Sequence, residues 1–185
     1  MKVIPTDLNG VMIIDPDVFG DHRGFFLESY HKERYSQAGI KETFVQDNLS
    51  FSTGNTLRGL HYQHPQGQAK LVQVLEGEVY DVAVDIRYGS PGFGRWTAAI
   101  LSSVNRRQFF IPEGFAHGFC VLSDTALFYY KCSGYYAPQH EGGICWDDPQ
   151  LGIDWPVDSP TLSERDHNFQ RLVDINPQHL PAYRG

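Results

Sequence analysis

The chain has 185 residues and a formal net charge of −7, with 41% hydrophobic and 14% aromatic residues. That length suits one domain with a sizeable core, the acidic balance argues against a nucleic-acid partner, and no run approaches the roughly 18 apolar residues of a membrane span. Residues 1–7 lack the apolar stretch of a signal peptide, and Cys120, Cys132 and Cys145 form no CxxC pair, so a cytoplasmic protein with reduced thiols is expected.

In chain order, residues 11–14 read as a short strand ended by Asp15-Pro16, and 25–30 as a second strand after the turn Gly20-Asp21-His22-Arg23-Gly24. Residues 31–38 form a short polar helix closed by Gly39. Alternating apolar and polar positions make 43–50 a half-buried strand. Further strands follow at 57–63, 70–75, 79–86, 95–101, 107–111, 116–122 and 125–132, with Glu76-Gly77-Glu78 read as a hairpin turn between two alternating arms. Many short strands at even spacing, almost without helix, mean an all-β sandwich or barrel. Beyond Tyr136 the pattern loosens, and Thr161 reads as the N-cap of a C-terminal helix because Glu164 stands three residues on. No repeat, low-complexity tract or linker suggests a second domain.

Arg58, His61 and Lys70 put two cations and a titratable imidazole in β-leaning apolar runs, a costly placement unless a ligand uses it. His61 and His64 are three apart and should face opposite sides of a strand, which speaks against a metal held by both together with His117. Acid–base chemistry is the alternative: His61 as general base, Lys70 as the cation beside an oxygen that becomes negative, Tyr130 as the source of a phenolic proton. Base, cation and acid from three strands suit proton abstraction next to a carbonyl, and a base and acid on opposite faces of the enolate would invert the carbon. Taken singly, each has a structural reading as well: a satisfied core histidine, a rim cation, an aromatic wall.

The blocks Phe19-Gly20-Asp21-His22-Arg23-Gly24-Phe25-Phe26, Phe44-Val45-Gln46-Asp47-Asn48, Leu57-Arg58-Gly59-Leu60-His61, Lys70-Leu71-Val72, Gly77-Glu78-Val79-Tyr80-Asp81, Ile111-Pro112-Glu113-Gly114-Phe115-Ala116-His117 and Tyr130-Lys131 resemble, in that order, the dTDP-4-dehydrorhamnose 3,5-epimerases. The resemblance implies a cupin-type jelly-roll β-sandwich with a few short peripheral helices and no metal or other cofactor. It also implies one domain over residues 1–185 and a homodimer in which the N-terminal strand segment is exchanged. The implied reaction inverts C3 and C5 of dTDP-4-dehydro-6-deoxy-D-glucose to give dTDP-4-dehydro-L-rhamnose. A single-carbon epimerase of a related dTDP-4-keto-deoxysugar is the nearer alternative; a metal-dependent cupin and a non-catalytic nucleotide-sugar binding module are the more distant ones.

Carried over by position, the resemblance makes His61 the proton acceptor, Asp166 the carboxylate that orients it, Lys70 the clamp on the C4 oxygen and Tyr130 the proton donor. His117 would bond near the sugar, while Arg58 and Arg165 would grip the diphosphate, for which a bidentate guanidinium is well matched. Gln46, Asp47 and Asn48 would line the nucleotide end. Tyr136 corresponds to a stacking tyrosine and Glu141 to a further ligand contact, and Arg23, Phe26 and Glu28 would reach the thymidine in the partner's site.

Overall fold

Strands that alternate apolar and polar residues must bury one face, and here they do so by stacking two antiparallel sheets on each other. The structure, a computed structural model, describes residues 1–184. Its strands are β1 (Lys2–Pro5), β2 (Met12–Asp15), β3 (Val18–Asp21), β4 (Gly24–Leu27), β5 (Gln46–Thr53), β6 (Leu57–Gln63), β7 (Lys70–Glu76), β8 (Glu78–Asp85), β9 (Trp96–Ser102), β10 (Gln108–Ile111), β11 (Phe115–Val121), β12 (Thr125–Cys132) and β13 (Glu141–Gly143). Two short helices, α1 (Lys32–Gln37) and α2 (Glu164–His167), lie at the periphery. One sheet has the order β1-β2-β10-β7-β12-β5 and the other β13-β6-β11-β8-β9, while β3 and β4 pair only with each other. This is the cupin-type jelly-roll sandwich.

Between the sheets, Val72, Val74, Phe109 and Phe128 meet Val79, Ala83, Leu101 and Phe119, and the Phe119 and Phe128 rings stack at 4.2 Å. The outer face of the five-stranded sheet is covered by the C-terminal segment through Ile144, Leu151, Trp155 and Leu172. Tyr35 and Ile40, from α1 and its exit, cover part of the other outer face over Ile14, Leu71 and Phe110. Packing on both faces explains why β11 is buried along its whole length and reads as a continuous run rather than an alternating one.

Four local expectations are corrected. Glu76-Gly77-Glu78 is not a hairpin, because β7 and β8 lie in different sheets and the chain crosses the sandwich at Gly77. Gly77 has φ +81°, and a Cβ there would stand 2.1 Å from the Thr125 carbonyl oxygen, so the crossing requires glycine. A hairpin and a crossing share turn chemistry and alternation, which is why the two look alike in sequence. The strand expected at 25–30 is β4, ending at Leu27 and paired with β3 (Phe19 opposite Phe26), a strand that overlaps the expected turn at its Gly20-Asp21 end. The strand expected at 43–50 is β5, shifted to 46–53. The cap of α2 is Ser163, whose Oγ accepts the Asp166 N–H at 3.1 Å; Thr161 instead bridges to Thr56.

Candidate active site

A cavity of about 350 Å³ opens between the two sheets at one end of the sandwich. From the six-stranded sheet β5 supplies Gln46, Asn48 and Ser50, β7 supplies Lys70 and β12 supplies Tyr130; from the five-stranded sheet β6 supplies Arg58 and His61, β11 His117 and β13 Glu141. Tyr136 and Arg165 stand at its mouth and Phe119 and Phe128 form its apolar floor. His61 and Tyr130 therefore reach the cavity from opposite walls.

Arg58 and His61 are three apart, so a regular strand would point them to opposite faces. They share the cavity because β6 carries an extra residue: His61 pairs with His117 and Arg58 with Phe119, three steps against two. The bulge centres on Gly59, with φ +139°, where a Cβ would stand 2.5 Å from the Gly118 Cα. Alternation resumes beyond it, and His64 lines a separate surface hollow with Tyr62 and His140.

His61 Nε2 lies 2.7 Å from Asp166 Oδ1, and Asp166 is 2% exposed. The other carboxylate oxygen accepts the Gly59 N–H at 3.3 Å. Burial pushes the Asp166 carboxyl upward, but the hydrogen bonds from His61 and Gly59 outweigh it and hold it below the ordinary carboxylate range. With Nε2–H donated to Asp166, Nδ1 carries the lone pair of the ring. Burial pulls the Lys70 ammonium below the usual lysine range, against the pull of Cys132, Asp81 and Glu141. It pushes the Tyr130 phenol up, so the phenol keeps its proton at neutral pH.

Beneath these lies a residue that sequence reasoning did not single out. Asp81 is fully buried and its Oδ1 lies 2.9 Å from His117 Nε2. Burial raises the Asp81 carboxyl and lowers the His117 imidazolium, the two effects that disfavour charge on each. A lone carboxylate within the apolar run Val79-Tyr80-Asp81-Val82-Ala83 is the signal that could have found it. Ser50 was equally legible, being in step with Gln46 and Asn48 on β5.

Ten of the expected site residues line this cavity: Gln46, Asn48, Arg58, His61, Lys70, His117, Tyr130, Tyr136, Glu141 and Arg165. Asp166 stands directly behind His61. Asp47 does not join them. Alternation turns it to the outer face of β5, where it pairs with Lys131 at 2.8 Å and accepts the Tyr129 hydroxyl at 2.9 Å. Arg23, Phe26 and Glu28 also lie outside the cavity, Arg23 paired with Asp21, Glu28 with Arg34 at 2.9 Å, and Phe26 68% exposed on the β3-β4 hairpin. At the mouth, Glu141 bridges Arg165 through both of its oxygens and accepts the Tyr136 hydroxyl at 2.7 Å. Arg58, Lys70 and Arg165 against the single carboxylate Glu141 leave the cavity wall cationic on an acidic protein, which suits an anionic ligand.

The model of the dTDP-4-dehydrorhamnose 3,5-epimerases matches residues 5–174. The chain belongs to this family. A 3,5-epimerase of Shigella flexneri is 54% identical over 95% of this chain and 98% of its own length. The solved 3,5-epimerase of Legionella pneumophila Philadelphia 1, in complex with dTDP-4-keto-L-rhamnose, is 53% identical with a TM-score of 0.97, covering 100% of this chain and 99% of that one. A dTDP-4-dehydrorhamnose 3-epimerase of Streptomyces niveus is 42% identical over 99% of this chain and 90% of its own length. This 3,5-epimerase family member is thus an enzyme of the isomerase class, and among its described residues no helix is long and apolar enough to cross a membrane.

Proposed function

We propose that the enzyme inverts C3 and C5 of dTDP-4-dehydro-6-deoxy-D-glucose, giving dTDP-4-dehydro-L-rhamnose. The observation that carries this is the Asp166-oriented His61 on one wall facing the protonated Tyr130 on the other, with Lys70 between the sheets. His61 Nδ1 takes the proton from the carbon next to the C4 ketone; the C–H pair forms a double bond to C4, and the carbonyl π pair moves onto the C4 oxygen. Lys70 holds the resulting enolate. As the enolate collapses, the carbon takes a proton from the Tyr130 hydroxyl on its other face, leaving a phenolate; solvent reprotonates the phenolate and removes the proton from His61. The same cycle then acts on the second carbon, since C3 and C5 both flank the ketone.

Arg58 and Arg165 grip the diphosphate, for which Arg165 must leave Glu141, and Gln46, Asn48 and Tyr136 receive the nucleoside. His117 bonds to the sugar. The enzyme acts as a homodimer: Phe19, Phe25 and Phe26 are 58–68% exposed on the β3-β4 hairpin, too much apolar surface to leave in water, and its Arg23 and Phe26, with Glu28 just beyond, serve the partner's site. The free thiols Cys120, Cys132 and Cys145 fit a reducing, cytoplasmic setting.

Incubation with dTDP-4-dehydro-6-deoxy-D-glucose in heavy water tests the reading by NMR. It expects the L-lyxo product carrying deuterium at both C3 and C5. Deuterium and inversion at one carbon alone would overturn it in favour of a single-carbon epimerase, the activity named for the less similar Streptomyces niveus relative.

A further inference from the structure

We propose that Phe169 is a positioning residue for His61, an inference that rests on His61 being the general base. A single hydrogen bond to Asp166 fixes one end of the imidazole but leaves it free to swing about the Nε2–Oδ1 axis. Phe169 supplies the second contact. Its ring lies edge-on to the imidazole, with centroids 5.8 Å apart and planes at 75°, and it does not line the cavity.

The surroundings hold the ring in that place. Phe169 follows Asp166 by three residues, and the next residue is pinned by the Cys145 N–H, which donates to the Gln170 carbonyl at 2.8 Å. Arg165 stands over the ring at 6.0 Å. On the remaining side is Gly143, the cross-strand partner of His61 on β13. A Cβ on Gly143 would lie 2.2 Å from two atoms of the Phe169 ring. Gly143 is outside the left-handed region, so it is the ring and not the backbone that requires glycine there. One segment thus delivers both restraints on the base, the carboxylate to its nitrogen and the phenyl edge to its ring plane.

The test compares Phe169→Ala, Phe169→Leu, Gly143→Ala and the Gly143→Ala/Phe169→Ala double variant, with kcat, KM and the nitrogen-15 shifts of His61 as readouts. Displacing a reacting group by about 1 Å can cost about a hundredfold, so Phe169→Ala should lower kcat about ten- to a hundredfold with KM within about threefold of wild type. The His61 ring signals should shift and broaden as the imidazole swings, while the Nε2–H tautomer held by Asp166 is kept. Phe169→Leu should restore most of the rate, because it refills the space. Gly143→Ala should reproduce the loss by pushing the ring away, and should cost nothing more once Phe169 is alanine, as a shared pathway demands. The proposal is overturned if Phe169→Ala keeps kcat within about twofold, if kcat falls while the His61 ring signals stay as in wild type, or if the two losses add. Should Phe169→Ala fail to fold, Gly143→Ala and Phe169→Leu carry the same test. His61→Ala is the separate control: general bases contribute about 10²–10⁴-fold, so retention of kcat within about tenfold there would overturn the role of His61 itself.

Discussion

The Lys70 ammonium is half-buried between the sheets, and burial holds its pKa below the value it has in the unfolded chain. The folded state binds this proton less tightly than the unfolded chain does, so the charge costs stability throughout the range below the depressed folded pKa. That cost fades only as pH rises towards about 10.4, where the unfolded lysine also loses its proton. Lys70→Met should therefore raise Tm at pH 7, lose that advantage at strongly alkaline pH, and abolish turnover, a trade of stability for function read by calorimetry beside an activity assay. A lower Tm at pH 7 would mean that the neighbours of Lys70 more than compensate its burial. His61, Lys70 and Tyr130 were legible because unusual residue types stand in strand patterns. Asp166 was not legible in this way, since it lies 105 residues from His61 and only resemblance linked the two. Asp47 was assigned through the resemblance alone, and the period of two on β5 turns it outward, away from Gln46 and Asn48.

At the scale of elements, two glycines convert a simple strand count into this cavity. The bulge at Gly59 brings Arg58 and His61 to one face, and the crossing at Gly77 sends β7 and β8 into opposite sheets, so that Lys70 and His117 face each other across the interior. Both devices hid behind regular-looking strands, because the alternation of flanking residues survives a bulge or a crossing. The locations of most strands were readable from periodicity. Their pairing was not, since which edge a strand joins depends on contacts distant in sequence. Gly77→Ala combines a left-handed φ with a 2.1 Å approach to the Thr125 oxygen. It should destabilise the fold by about 2–4 kcal/mol in urea unfolding, within the range of backbone strain plus overpacking. A loss under about 0.5 kcal/mol would show that the crossing can relax around a methyl group.

For the whole molecule, the β3-β4 hairpin pairs with neither sheet and carries three exposed phenylalanines, and the resemblance gives it a task in another subunit's site. Complementation tests that task. Chains with His61→Ala keep a good hairpin beside a dead site, and chains with Arg23→Ala and Phe26→Ala keep a good site beside a poor hairpin. Refolded together in equal amounts, they should form mixed dimers in half the population, each with one complete site, and so recover about a quarter of wild-type activity. No recovery would mean that each hairpin serves its own chain. The central claim, that base and acid work from opposite walls of the sandwich, is tested most directly by Tyr130→Phe in heavy water. Removing the donor should leave abstraction by His61 in place, so deuterium should wash into C3 and C5 faster than the carbons invert. Equal loss of washout and inversion would contradict a donor role for Tyr130.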